Sequence, residues 1–476
     1  MTTTQRLHAR LIKRDVDAEA QLPDDVQRNV PGNTLRLVGA NALQSSGDQM
    51  VNASTVLPWL FHAIGVPAAL TGALVPIRES GSMLPQAFLT PFVIKVRQRK
   101  VVTLVGALVQ ALSVAVMAVT AAIGSGLAAG LTIIGALAVF SLGRCLTSIA
   151  SKDVQARTVP KGERGQINGL ATTASGLVAI TLGLAVRALG EGLDAQTLAA
   201  ILGIGSVLWV LVALVWWSVR EPVDAPSRRS QSDLLRDREH EGSQSDLLRD
   251  REHERSQSDL LRDRGEGEEK QDNWFAQTLH LLREDATFRS FVTVRSFLLV
   301  SSLSPPFIVT LAVQAGAPAL TGLGGFIIAS GLAALLGGRI FGRMADRSSK
   351  RLMTTGAALA SLVLLVLVLL DTLLDLDGDS LTTYAIFVVA YFLVTMLHTG
   401  VRVGRKTYVV DMAEGDQRTT YVAVSNSAMG IVLLLVGAIS SAIAGFGVIW
   451  ALLFLAGLGV LGVVSSRRLP EVEGLA

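Results

Sequence analysis

The chain has 476 residues, half of them hydrophobic and only 17% charged, with a mean hydropathy of +0.47. That is too apolar for a water-soluble protein and too long for one membrane hairpin, so an all-α polytopic membrane protein is expected. The net charge of +3 and pI near 9.1 do not point to a nucleic-acid partner, because the basic residues fall in alternate loops rather than on one patch.

In chain order, residues 1–33 are polar and charged with no apolar core, which predicts a cytoplasmic N-terminal segment and no cleavable signal peptide. Apolar runs follow near 35–60 and 67–94. Val101 to Gly143, Ser296 to Gly338 and Thr419 to Ser466 contain no Asp, Glu, Lys or Arg. Each of these three blocks is long enough for two spans of about 20 residues. Turn-like Gly124-Ser125-Gly126, Gly316-Ala317-Pro318 and Gly445-Phe446-Gly447 divide them. Further runs near 167–190, 195–219, 352–374 and 381–403 bring the expectation to about twelve transmembrane helices.

A polar stretch, 220–289, splits these runs six and six. Within it Ser-Gln-Ser-Asp-Leu-Leu-Arg-Asp-Arg recurs from Ser230, Ser243 and Ser256. A thirteen-residue step advances about 220° beyond full helical turns and scatters the Leu pairs, so a solvated spacer is expected. The expected regions are therefore 1–33, a six-helix bundle at 34–219, a cytoplasmic linker at 220–289, a second bundle at 290–466, and a tail at 467–476.

Basic clusters at Lys95 to Lys100, Lys152 to Arg164, Gly342 to Arg351, Arg402 to Arg418 and Arg467-Arg468 alternate with turns lacking Lys and Arg. By the positive-inside rule both termini are cytoplasmic, as in a multi-pass inner-membrane protein. The lone Cys145 can form no intramolecular disulfide.

The halves also match each other. At an offset of 250, Arg97 aligns with Arg347 and Lys100 with Lys350; at 254, Lys152 aligns with Lys406 and Arg164 with Arg418. The third cluster, Gly342-Arg343-Met344-Ala345-Asp346-Arg347-Ser348-Ser349-Lys350-Arg351, resembles the signature loop of the major facilitator superfamily, with Ser349 where a second Gly would stand. The resemblance implies two pseudo-symmetric six-helix bundles around a central site, and secondary active transport of a small solute by alternating access. It further implies a monomer in the lipid bilayer, with proton coupling expected. It also implies a cytoplasmic gate built from Gly342, Asp346, Arg347, Lys350 and Arg351. Val96 replaces the acidic residue in the first-half loop, which predicts a weaker clasp there. The fifth span carries Gly169, Gly176 and Gly183 without Pro, a departure from proton-coupled drug exporters of the family.

A charge near the bilayer centre is costly and usually faces a partner or a wet cavity. If the first span starts near Leu35, Asp48 lies roughly 20 Å in, and Arg78 lies roughly 15 Å into the second. Asp48 or Glu79 can serve as a proton-coupling carboxylate governed by Arg78, or Asp48 and Arg78 can form a fixed salt bridge between helices; both readings stand on sequence. Arg144, in the fourth span, aligns with His398 at the 254 offset, and the resemblance has both face the cavity from opposite halves. Arg144 can bind an anion or release a proton from Asp48, or snorkel; His398 can titrate near neutral pH or pack. Arg295 can pair with substrate, though its nearness to the cytoplasmic end favours snorkelling, and Pro305-Pro306 is expected to break the seventh span.

Other classes find little support. Gly322-Leu323-Gly324-Gly325 opens a membrane span instead of following a strand, no Walker loop occurs, and the His and Cys residues lack metal-ligand spacing. No cofactor, metal or enzymatic activity is expected. Two alternatives remain: a membrane scaffold or sensor that recruits a partner through the linker, and a lipid flippase on the same fold.

Overall fold

The computed structural model describes residues 3–12, 19, 24–188, 194–222, 283, 285–316, 319–345, 348–374, 376, 380–412 and 417–470. Contacts divide the chain into one unit of Met1–Glu221 with Ser290–Ala476, and a second of Pro222–Arg289. Of the second, only Pro222, Arg283 and residues 285–289 are described, so the tandem repeats lie outside the described residues.

Every described element is helical. The first half comprises α1 (Thr3–Leu11), α2 (Val30–Met50), α3 (Val56–Ala63), α4 (Thr71–Met83), α5 (Gln86–Lys95), α6 (Arg99–Ile123), α7 (Gly126–Thr158), α8 (Lys161–Ala188) and α9 (Ala195–Ser218). The second comprises α10 (Ala286–Phe297), α11 (Pro305–Gln314), α12 (Ala319–Ala345), α13 (Ser349–Leu374), α14 (Leu381–Asp411), α15 (Gln417–Ala444) and α16 (Val448–Ser466). Among the described residues, eight helical segments are long and apolar enough to cross a bilayer, with shorter apolar stretches at Thr173–Ala188 and Gly322–Gly337. The first two expected spans take a broken form. Val51 to Thr55 separate α2 from α3, and Leu84-Pro85 separate α4 from α5.

The burial pattern is that of a protein dissolved in lipid. In seven of the eight segments only 33–44% of the apolar window is buried, and side chains such as Leu112, Ile123, Leu184 and Leu373 point outward. The exception is Ala286–Gln314, at 83%, which occupies the middle of the molecule. It is interrupted near Leu298-Leu299 and at Ser304, with Pro305 and Pro306 filling the first two positions of α11, where a missing N–H costs no helical hydrogen bond.

In the first half α6 packs on α7 and α9, and α2 on α8 and α9; in the second, α14 packs on α12 and α13, and α13 on α16. The halves meet where α8 packs on α12 and α4 on α15. A β-carbon added to Gly183 would sit 2.7 Å from the carbonyl oxygen of Gly324. The backbones of α8 and α12 therefore touch, as small residues permit in membranes. Ser80 Oγ on α4 donates to the carbonyl of Gly430 on α15 at 2.8 Å.

The end of the molecule opposite the basic loops is sealed. Val56 to Phe61 on α3 and Pro305 to Val313 on α11 are all buried. Trp59 from the first half approaches Phe326 from the second, with ring centroids 6.4 Å apart, and Phe326 meets Tyr391 edge-on at 5.2 Å.

At the basic end the first-half loop is better held than Val96 predicts. Glu221, beyond α9, accepts from the backbone N–H groups of Arg99 at 3.1 Å and Lys100 at 2.8 Å, the first residues of α6. A carboxylate at a helix N-terminus satisfies orphan donors and complements the dipole. Asp153 on α7 pairs with Arg99 and, at 2.8 Å, with Arg157. The anion absent at position 96 thus arrives from two other helices. On the same half, α1 is pinned by His8, whose Nε2 lies 3.2 Å from Oε2 of the buried Glu163.

Candidate functional site

The break in the first span positions the first charged group. Asn52 Oδ1 accepts from the backbone N–H of Ser54 at 2.8 Å, and its carbonyl accepts from Leu57, so the chain turns between α2 and α3. Asp48 therefore stands on the last turn of α2, beside irregular backbone of the kind membranes tolerate where it lines a cavity.

Arg78 Nη2 on α4 donates to Asp48 Oδ1 at 3.0 Å, and Arg144 Nη1 on α7 donates to Oδ1 at 2.5 Å and to Oδ2 at 2.7 Å. One carboxylate thus joins three helices. Relative side-chain exposures are 17% for Asp48, 14% for Arg78 and 30% for Arg144, so the cluster is protected but not dry. Glu79, on the next residue of α4, lies within electrostatic reach of Arg144 and of Arg405 on α14.

Beside this cluster a cavity of about 220 Å³ opens between the halves. Gln49, Asn52, Arg78 and Glu79 come from the first half; Ser301, Ser330, Tyr391, His398 and Arg402 come from the second. Of seventeen lining residues, only Ala53, Val75, Pro305 and Ala334 lack a polar side chain. Along α14 its wall runs from Tyr391, fully buried against the aromatic seal, to Arg402, which is exposed. The cavity therefore opens toward the basic end.

Every sequence candidate in the membrane falls at or next to this cavity. Arg78, Glu79 and His398 line it, while Asp48 and Arg144 form the ion pair against it. His398 Nδ1 lies 3.4 Å from Ser301 Oγ. Arg295 does not snorkel: it is buried, with Nη1 donating to Ser425 Oγ at 2.9 Å and Nη2 to Asn426 Oδ1 at 3.1 Å. The polar pair on α15 offers it internal acceptors, which removes the drive to reach the interface. Arg402 and Arg405 read in the sequence as part of the basic loop cluster, but helix α14 runs on to Asp411, so Arg402 lines the cavity and Arg405 is buried one turn beyond it. Of the gate motif, Lys350 and Arg351 begin α13, Gly342 lies near the end of α12, and Asp346 and Arg347 lie outside the described residues. Among the described residues, no cluster of His, Cys, Asp and Glu fits a metal ion.

The family model described as Major Facilitator Superfamily matches residues 38–373. The chain belongs to the Major Facilitator Superfamily. It is a multi-pass membrane protein and a secondary transporter. No curated protein sequence matches it significantly. Solved structures share the fold at low identity. A D-xylose-proton symporter is 12% identical, with a TM-score of 0.64 over 93% of this chain and 98% of that one. A POT peptide transporter is 12% identical, with a TM-score of 0.61 over 98% and 99%. The xylose transporter XylE from E. coli, in an inward-open conformation, is 11% identical, with a TM-score of 0.62 over 93% and 97%.

Proposed function

We propose that this facilitator couples movement of a small hydrophilic solute to protons, with Asp48 as the coupling carboxylate and Arg78 and Arg144 as its partners. The supporting observation is the single carboxylate shared by guanidiniums from two other spans. Neutralising Asp48 leaves Arg78 and Arg144 facing each other without an anion. Proton uptake there would loosen the tie of α4 and α7 to α2 and so shift the balance between conformations. Glu79, in reach of Arg144 and Arg405, is positioned to take over one guanidinium as Asp48 lets it go. His398 would contact the solute from the opposite half.

In this proposal the basic end faces the cytoplasm of a cell inner membrane, so the cavity opens inward and the aromatic seal closes the far side. One chain supplies both walls, and a monomer suffices. The D-xylose-proton symporter among the structural neighbours is consistent with proton coupling.

Reconstitution into vesicles tests this. An imposed pH gradient should drive solute accumulation in the wild type and fail to do so in Asp48→Asn, while solute exchange without a gradient persists. Equal gradient-driven accumulation by Asp48→Asn would remove Asp48 from coupling. Arg467→Cys should react with an impermeant thiol reagent only from the cytoplasmic side, since the native Cys145 is buried.

A further inference from the structure

Among the described residues, the second half brings cations to the cavity without ion-paired anions of its own. Tyr391, Thr395, His398, Arg402 and Arg405 follow one another along α14 at steps of four, three, four and three residues, which sets them on one helix face. The first four line the cavity. Arg405 stands one turn nearer the basic end, within electrostatic reach of His398, Arg402 and Arg295. It is 9% exposed and Arg295 is 5% exposed, and the Nε of each is buried without a hydrogen-bond partner.

Among the described residues, the ion pairs in the membrane use Asp48 with Arg78 and Arg144, and none reaches Arg295, Arg402 or Arg405. Among the described residues around the cavity, two carboxylates, Asp48 and Glu79, meet five guanidiniums, a surplus of three positive charges. Uncompensated charge at this depth is costly, and guanidiniums retained there mark a path for an oppositely charged ligand. Their planar fork suits carboxylate and phosphate oxygens.

The volume narrows the ligand further. At about 220 Å³ the cavity is smaller than the roughly 300–1,000 Å³ typical of drug-sized sites, and thirteen of its seventeen lining residues carry polar side chains, which favours a compact polar ligand. We propose that it binds a small hydrophilic organic anion whose carboxylate or phosphate oxygens are held by Arg402 and Arg405, with His398 and Thr399 as hydrogen-bonding neighbours. This deepens the transporter reading and rests on it.

Titration calorimetry on the full-length protein in detergent, with inorganic phosphate, succinate and citrate as probes and uncharged succinamide as control, tests the site. At least one anion should bind saturably, succinamide should not, and Arg402→Gln and Arg405→Gln should each weaken the anion at least tenfold. Because Arg402 is exposed, its variant should fold even where Arg405→Gln does not. Unchanged anion affinity in Arg402→Gln, or no binding of any of the three anions, overturns the proposal. Vesicle transport separates it from proton coupling. Anion exchange that ignores an imposed pH gradient leaves the anion site standing and removes the coupling. Gradient-driven uptake of succinamide, undiminished in Arg402→Gln, sustains the coupling and overturns the anion site.

Discussion

The two halves reach the same cavity with unmatched charge. In the first, Arg78 and Arg144 share Asp48, and Glu79 stands nearby. At the 250-residue offset, Asp48 corresponds to Leu298 and Glu79 to Ala329, so among the described residues the second half has cations beside the cavity and supplies no carboxylate that pairs with them. At these positions the duplication keeps the helical frame and not the charge, for neither Leu298 nor Ala329 lines the cavity. The half that neutralises itself is suited to switching, since its bonds can be exchanged internally. The half that does not is suited to holding something from outside.

The largest effect should come from removing the acid of the first half. Asp48→Ala leaves two guanidiniums without their anion; breaking a buried pair costs up to about 3–5 kcal/mol. Exposures of 14–30% in this cluster lower that figure through water access. Thermal unfolding should show Asp48→Ala clearly less stable than wild type, with much of the loss recovered when Arg78 is also changed to Gln. In contrast, Arg405→Met removes a desolvated charge that has no ion-pair partner among the described residues and only the more distant Glu79 to offset it, and should raise the melting temperature while weakening the anion. If both variants destabilise alike, the halves are not different in the way described.

Placing an acid in the second half should make the two alike. Ser302 lines the cavity, and Ser302→Asp cuts the surplus positive charge from three to two. Anion affinity should fall several-fold in calorimetry, with the fold of the protein unchanged by circular dichroism. Undiminished affinity would mean that the surplus is not what the ligand reads.

A smaller effect is expected at the basic end. Glu221→Gln takes a full charge from the N-terminus of α6 and weakens its two backbone contacts, a loss of about 0.5–2 kcal/mol. If Glu221 replaces the acid missing at Val96, then Glu221→Gln and Asp346→Asn should shift thiol accessibility of the cavity in the same direction. A shift from Asp346→Asn alone would restore the asymmetry that the sequence predicts.

Much of this site was legible because charge inside an apolar run is conspicuous: Asp48, Arg78 and Arg144 stand out in any scan. The turns were legible too, since Gly126, Gly316 and Gly447 all adopt positive φ at the divisions between spans. What could not be read was long-range. Nothing near Val96 announces that Glu221 will arrive from the end of α9, and nothing near Arg295 announces Ser425 and Asn426. Arg402 and Arg405 were hidden differently, because they adjoin a basic loop and alternation of charge reads them as topology. The signal that would have found them is the helical step from Tyr391 through Thr395 and His398, which continues through both.

The mildest contrast between the halves lies at their outer turns. Asp194 caps α9, accepting from the backbone N–H of Thr197 at 2.9 Å and from its hydroxyl at 2.8 Å; Ser380 caps α14, accepting from the backbone N–H of Thr383 at 3.1 Å. Those two Thr197 bonds hold the Asp194 carboxyl below the usual aspartate range. A folded value below the unfolded one means that the contribution is fully present above the unfolded value, about 3.9, and is lost as pH falls through the folded value. Ser380 has no such dependence. Below about pH 4, hydrogen exchange of the first turn of α9 should therefore accelerate relative to that of α14. Asp194→Ser keeps a capping oxygen and removes the titration, so in that variant the two turns should respond to acid alike; an α9 turn that still loosens selectively would place the sensitivity in some group other than its cap.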